Sequence, residues 1–535
     1  MRPSRSRHRR ARRTRLHDRE YIGTRAGAGT VTPLGPVAGG EGAHARTQRR
    51  RRLWHNDLVI SSQDSQRKPT RRLVIIGGGP GGYEAALHAR TLGADVTIIE
   101  DKGMGGSAVL TDVVPSKTLI ASADTMNRFT EAQDLGVHVA GATSDDDSLN
   151  GLEVDLEVVN TRLLRLAVTQ SRDIRRGLER DGVHIVEGRG SMLDDRTVHV
   201  VAADGMEYDL EADAVLIAVG AHPRELGSAR PDGERIFNWT QLYSMTDLPE
   251  HLVVVGSGVT GAEFASAYNG LGAKVTLVSS RDQVLPGEDA DAAEVLENVF
   301  ERRGLNVMSR SRAASVERVD DGVVVTLNDG RKISASHCLM AVGGVPNTEG
   351  LGLENTGVHV SESGHIEVDG VSRTTVPSIY AAGDCTGKLP LASVAAMQGR
   401  IAVSHFLGDA VRPLRLSTVA SNIFTSPEIA SVGITEGDVR SGRYAADVHK
   451  IPLPNNPRAK MMAVDDGFVK VIARKGPGTV LGGVVVGPRA SELIFALSVA
   501  VSKGLTVDDL AETFTVYPSL SGTISEAARR LHQRL

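Results

Sequence analysis

The feature that most restricts what this chain can fold into is a thirty-residue pattern that occurs twice, at 71–100 and at 251–280. In the first copy an apolar run, Leu73 to Ile76, enters the glycine-rich stretch GGGPGG, continues into a segment of helical composition, and ends in a second apolar run at Glu100. In the second copy Leu252 to Val255 passes through GSGVTG to the apolar run Lys274 to Val278. Strand, glycine turn, helix and strand make a βαβ unit, and the glycines have separable duties. Gly77 and Gly256 permit the tight turn, Gly79 and Gly258 let a pyrophosphate approach the backbone, and Gly82 and Gly261 let helix and strand pack closely. Free amides at the helix start then face the phosphates. Two such units predict an α/β chain with two Rossmann-like dinucleotide-binding domains.

The strand ends distinguish the two copies. Glu100 stands about twenty residues beyond the first loop, where a carboxylate accepts hydrogen bonds from an unphosphorylated ribose, which suits FAD. The equivalent place in the second copy holds Ser279, followed by Ser280 and Arg281. No carboxylate stands there to repel a 2′-phosphate, and a guanidinium is available to pair with one, so NADPH is favoured over NADH.

Composition narrows the class. At 535 residues, 41% hydrophobic and 24% charged, the chain is long enough for three or four domains of about 150 residues. It has no uninterrupted apolar run of about 18 residues, so no membrane span is expected. The only cysteines, Cys338 and Cys385, lie far apart with no close partner, which supports neither a disulfide framework nor a metal site and points to a reducing, cytoplasmic setting. Residues 1–72 hold about nineteen arginines or lysines against five acids, although the whole chain carries −4. This segment lacks apolar periodicity, and 1–71 reads as a disordered basic tail. Transit peptides, nucleic-acid-binding arms and an upstream-extended start share that composition. No nucleic acid is expected on the folded body.

Further segments carry a resemblance: GMGGSAVLTDVVPSK, LIAVGAHPR, AVGGVPNTEGLGLE, TTVPSIYAAGDCTG, FTSPEIASVGITE and VYPSLSGTISEA. With the two glycine loops they resemble the pyridine nucleotide-disulfide oxidoreductase flavoproteins, the family of glutathione reductase and dihydrolipoamide dehydrogenase. The resemblance runs from about residue 72 to the end. It implies an FAD domain (72–222 and 344–414) interrupted by an NAD(P) domain (223–343), an α+β dimerisation domain (415–535) and a homodimer. It places Gly106, Gly190, Val219, Gly220, Asp384, Leu391 and Ala392 at FAD, and Val259, Thr260 and Gly343 at NAD(P). Asp384 would accept hydrogen bonds from the ribityl chain, and the helix beginning near Leu391 and Ala392 would aim at the flavin pyrimidine. Lys117 would lie beside flavin N5, held by Glu263 from the nicotinamide domain.

The departures from that family carry the functional expectation. Disulfide-reducing members read GGxCxxxxCxPSK where this chain reads GGSAVLTDVVPSK, so Ala108 and Val113 occupy the two cysteine places. Neither can supply the thiolate that dithiol chemistry requires. Members also carry a C-terminal His-Pro-x-x-x-Glu segment that reaches the partner's flavin, and here Tyr517 stands for His and Gly522 for Glu. Tyrosine, with an unperturbed pKa near 10, donates a hydrogen bond but is a poor base at neutral pH. Loss of both halves with both nucleotide loops intact implies direct electron transfer from flavin to a flat apolar acceptor, a quinone, as in the NAD(P)H:quinone reductases of actinobacteria. The catalytic residues would be Lys117, Glu263 and Tyr517. The alternatives are a dihydrolipoamide dehydrogenase-type disulfide reductase working through Cys385, and a catalytically quiet nucleotide-binding protein that keeps FAD for structure.

Overall fold

The structure, a computed structural model, describes residues 70–137 and 152–532. Residues 1–69 of the basic segment lie outside them. The first βαβ unit runs from β1 (Arg72–Ile76) through α1 (Pro80–Thr91) to β2 (Asp95–Glu100). Pro80 opens α1 at the position where a missing N–H costs nothing. Two helices follow, α2 (Gly106–Leu110) and α3 (Val113–Glu131), and then the long α4 (Leu156–Arg180), whose Asp155 side chain caps its start by accepting from Val158 N at 2.9 Å. β3 (His184–Met192), β4 (Thr197–Ala202), β5 (Glu207–Glu211) and β6 (Ala214–Ile217) complete this part, and β7 (Ala221–Pro223) leads out of it.

The second unit begins with β8 (Ile236–Asn238) and β9 (His251–Val255), continues through α5 (Val259–Gly270) and β10 (Lys274–Val278), and adds α6 (Ala290–Arg302) and β11 (Asn306–Met308). An antiparallel ribbon of β12 (Ala313–Val319), β13 (Gly322–Leu327) and β14 (Lys332–Ala335) precedes β15 (His337–Met340). The five strands of this unit are parallel and ordered β11-β10-β9-β15-β8. Parallel strands covered on both faces need continuous apolar runs, and β9 and β10 supply them, each with four consecutive buried residues.

The chain then pairs β16 (Gly344–Pro346) with β7 and returns to the first sheet as β17 (Ile379–Ala381), beside β6. That sheet reads β17-β6-β1-β2-β3-β4-β5, parallel as far as β3. A segment far along the sequence thus brings α7 (Ala392–Leu407) against α1.

The remainder is an α+β unit. β18 (Ala420–Ile423), β19 (Glu428–Gly433), α8 (Glu436–Arg440), β20 (Ala446–Pro452), α9 (Pro457–Met461), β21 (Phe468–Arg474) and β22 (Val480–Gly487) form an antiparallel sheet ordered β18-β19-β22-β21-β20 with its connecting helices. α10 (Ala490–Lys503), α11 (Val507–Glu512) and α12 (Gly522–His532) cover it. A single core joins this unit to the nucleotide folds: Leu119 and Ile120 of α3 and Phe264 and Tyr268 of α5 share a cluster with Ile423, Ile429, Phe468 and Val486. Among the described residues no helix is long and apolar enough to cross a membrane, and no group of three or more metal-ligating side chains gathers.

Candidate active site

Both glycine loops have the same backbone geometry. Gly77 and Gly256 adopt φ of +106° and +112°, a region that a side chain disfavours, and a Cβ on Gly82 or Gly261 would overlap the carbonyl oxygen of Gly77 or Gly256. The Cβ positions of Gly79 and Gly258, in contrast, meet no atom within 4 Å. Each loop therefore leaves open space in front of the helix start, which a pyrophosphate can enter. Val259 and Thr260 form the first turn of α5 behind that opening.

Glu100 ends β2 with its carboxylate turned back onto the first loop, accepting from Gly78 N at 2.6 Å and from Lys102 N at 2.7 Å. Two lone pairs remain for ribose hydroxyls. Gly106 packs against Gly79, its would-be Cβ lying 2.8 Å from the Gly79 Cα, so the start of α2 is fitted to the loop. Val219 and Gly220 follow β6 and are fastened from Asn347, whose side-chain amide donates to Val219 O at 2.9 Å while its backbone N–H donates to Gly220 O at 3.0 Å. Gly190 lies within β3 facing Ile99, Val198 and Ile76, so close packing inside the sheet accounts for a glycine there.

The fit to FAD is tested at Asp384, which follows β17. Its half-buried carboxylate has no hydrogen-bond partner among the described residues, and burial pushes it above the usual carboxylate range despite His365 nearby. A hydroxyl-bearing ligand would supply what this group lacks. Leu391 and Ala392 form the cap and first residue of α7, an apolar approach that leaves the helix's first N–H groups without a side-chain cap.

Lys117 and Glu263 meet although 146 positions separate them in sequence: Lys117 Nζ donates to Glu263 Oε2 at 2.7 Å. Glu263 is 4% exposed, and its other oxygen accepts from Phe424 N at 2.8 Å. The ammonium also lies 5.0 Å from the centre of the Phe424 ring. A buried carboxylate with both oxygens engaged is fixed, and it fixes the lysine. Ala108 lies in α2 and Val113 opens α3, in the same turn of chain.

In the second fold Ser279 is buried and bonded to Ser257 at 2.6 Å, so it shapes the end of β10, while Arg281 is exposed and makes no ion pair among the described residues. Arg310, which no local pattern singles out, joins it: its N–H donates to Arg281 O at 2.9 Å, and its guanidinium pairs with Asp282 at 2.7 Å. Gly343 adopts φ of +91° just before β16. Tyr517 is 83% exposed, and Phe514 and Val516 beside it are exposed as well. One chain alone does not bring Tyr517 into contact with the Lys117 cluster.

Two further groups escaped the sequence reading. Asp112 precedes Val113 and has its carboxyl pushed up to about 6, chiefly by burial and against the pull of Lys117, with Glu263 and Asp384 adding to the rise. Tyr243, from a short 3₁₀ turn (Leu242–Ser244), is buried near Ser116, and burial followed by the Asp112 charge raises it well above the phenol range. The substituted cysteine places could have drawn attention to Asp112, but Tyr243 has no local signal. Cys338 and Cys385 are both buried, with burial raising their thiols, Cys385 to about 12.

Comparison with known proteins identifies the family. The model for pyridine nucleotide-disulphide oxidoreductase matches residues 71–399, and that for the dimerisation domain of the same family matches 419–528. An NAD(P)H dehydrogenase (quinone) of Mycobacterium tuberculosis is 52% identical over 469 residues, 86% of this chain and 94% of that protein. A dihydrolipoyl dehydrogenase of Chlorobaculum parvum is 33% identical over 460 residues, 85% of this chain and 96% of that protein. The crystal structure of LpdA from Mycobacterium tuberculosis superposes with a TM-score of 0.82 at 52% identity, covering 86% of this chain and all of that one. With a family model across well over half its length, this chain belongs to the pyridine nucleotide-disulphide oxidoreductase family, flavoenzymes that work with FAD and NAD(P)H.

Proposed function

We propose that this chain is an NAD(P)H:quinone oxidoreductase that acts as a homodimer without a redox-active disulfide. The observation that carries the reading is the turn beside Lys117 and Glu263, where Ala108 and Val113 stand in place of sulfur while both cysteines are buried elsewhere. A thiol held protonated in the core cannot act as a nucleophile, so Cys385 does not replace the missing pair. The name of the 52% identical mycobacterial protein supports the same acceptor class.

FAD bound against the first loop would take a hydride equivalent from NAD(P)H and deliver two electrons to the acceptor. The chain's own contributions are positional and electrostatic. Gly77, Gly79 and Gly82 would shape the pyrophosphate seat, Glu100 would hold the ribose, and Asp384 would receive the ribityl hydroxyls. Lys117 would place a fixed cation at the reacting edge of the flavin, with Glu263 holding it in position. Gly256, Gly258 and Gly261 would seat the nicotinamide nucleotide, with Arg281 selecting the 2′-phosphate. The exposed Phe514, Val516 and Tyr517 suit burial against a second copy, whose site Tyr517 would complete.

The test is steady-state turnover of the FAD-loaded protein with NADPH against a benzoquinone, a naphthoquinone, lipoamide and glutathione disulfide. Turnover with the quinones and none with the disulfides is expected. Lipoamide reduction at a rate matching the quinones would overturn the reading.

A further inference from the structure

Reduction of a quinone to a hydroquinone consumes two electrons and two protons. A hydride equivalent brings both electrons and one proton, so a second proton must be delivered, by water or by a group at the site. In disulfide-reducing members the corresponding proton transfer would fall to the C-terminal histidine, whose place holds Tyr517, and tyrosine is a less suitable proton-transfer residue than histidine at neutral pH.

The turn that lost its cysteines carries a candidate. Asp112 is the residue before Val113, and its backbone N–H donates to Ser107 O at 2.8 Å, which holds it directly against the turn bearing Ala108. It occupies the cap position of the 19-residue α3, yet its carboxylate does not cap the helix, and no hydrogen bond or ion pair engages it among the described residues. A capping role would have explained an aspartate here, and the geometry removes that explanation. The charged and titratable groups around it come from four elements: Lys117 on α3, Glu263 on α5, Tyr243 on its 3₁₀ turn and Asp384 after β17. Two of these are carboxylates that oppose a further negative charge, and Lys117 is already bonded to Glu263.

We propose that Asp112 is the proton donor of the oxidative half-reaction, an inference that rests on the quinone reading above. The O–H bond of its carboxyl breaks as a new O–H bond forms on the acceptor's oxygen, and the carboxylate regains a proton from water. The overall balance is NAD(P)H, one proton and quinone giving NAD(P)⁺ and hydroquinone. With its carboxyl near 6, a useful fraction of Asp112 stays protonated at neutral pH, and the rate falls as pH rises through that value.

The experiment compares Asp112→Asn with the wild type, both FAD-loaded and reduced by NADPH, in stopped-flow reoxidation by a benzoquinone and by ferricyanide, which takes electrons without protons. The variant should reoxidise with quinone about 10²-fold more slowly and without the pH dependence near 6, while ferricyanide reoxidation and reduction by NADPH keep their wild-type rates. Formate should restore part of the quinone rate in Asp112→Ala. Infrared difference spectra should show a carboxyl band that titrates near 6 in the wild type and is missing from Asp112→Asn. Equal rates with both acceptors in variant and wild type, or an equal loss with both, would overturn the assignment. A wild type that reacts with ferricyanide and with no quinone would instead remove the functional reading itself, and this one with it.

Discussion

Arg281 and Lys117 are both exposed enough to meet a ligand, but their surroundings give them different duties. Lys117 is immobilised by Glu263 and Phe424, so it acts as a fixed charge. Arg281 has no ion-pair partner among the described residues, whereas Arg310 beside it is already tied to Asp282. The Arg281 guanidinium is the one we propose to select the 2′-phosphate of NADPH. Arg281→Glu should lower the ratio of kcat/KM for NADPH over NADH by about tenfold or more, since a hydrogen bond to a charged group contributes ~1.5–3 kcal/mol and the new carboxylate adds repulsion. Kinetics with both nucleotides decide this, and an unchanged ratio would make Arg281 a bystander.

At the scale of elements, the nicotinamide fold is fastened to the C-terminal sheet by one buried cation. Lys470 on β21 is 1% exposed and reaches Asp289, the cap of α6, at 2.8 Å, Asp291 at 2.7 Å and Glu436 of α8 at 2.5 Å. Burial alone would raise Asp291 and Glu436, but hydrogen bonds and charge from Lys470, joined by Lys450 at Asp291 and by Arg440 at Glu436, together outweigh it and hold both below the usual carboxylate range. Lys470→Met would leave three carboxylates facing one another. The expected loss is about 3 kcal/mol by chemical denaturation, at the low end for a broken buried pair because Asp291 and Glu436 keep some solvent access. The sign of the pH effect follows from the depressed carboxylates: their stabilisation is present above the ordinary carboxylate range and is lost as pH falls through the folded-state values. The wild type should therefore lose stability on acidification more steeply than Lys470→Met. Parallel curves would show that Lys470 packs without acting as a charge.

For the whole molecule, the number of redox centres follows from what occupies the turn between α2 and α3. With Ala108 and Val113 there, and with both thiols buried, flavin is the only electron store. Anaerobic dithionite titration should bleach the bound flavin after about two electrons per FAD, with no long-wavelength thiolate band at the midpoint. A requirement for about four electrons would mean that a cysteine pair takes part.

The two glycine loops and Glu100 were legible in the sequence because each belongs to a local pattern, whereas the altered cysteine places were legible only against the family's motif. A tight turn needs a residue without a side chain, and a carboxylate for a ribose is expected at a fixed distance along a βαβ unit. The α/β class followed from the same local patterns. The pairing of Lys117 with Glu263 was expected only through family resemblance, since no local pattern links residues 146 positions apart. The structure achieves it by packing α3, α5 and the C-terminal sheet into one core. Asp112, Tyr243 and Arg310 were illegible for the same reason. An aspartate at a helix start reads as a cap, and only the folded chain leaves its carboxylate uncapped, surrounds it with Lys117, Glu263 and Asp384, and raises it by burial. The sequence by itself determined which backbone turns and which side-chain chemistries are present. Tertiary structure decided which of those groups lie close enough, and dry enough, to change one another's charge, because desolvation and Coulomb interactions depend on distance through space rather than on position along the chain.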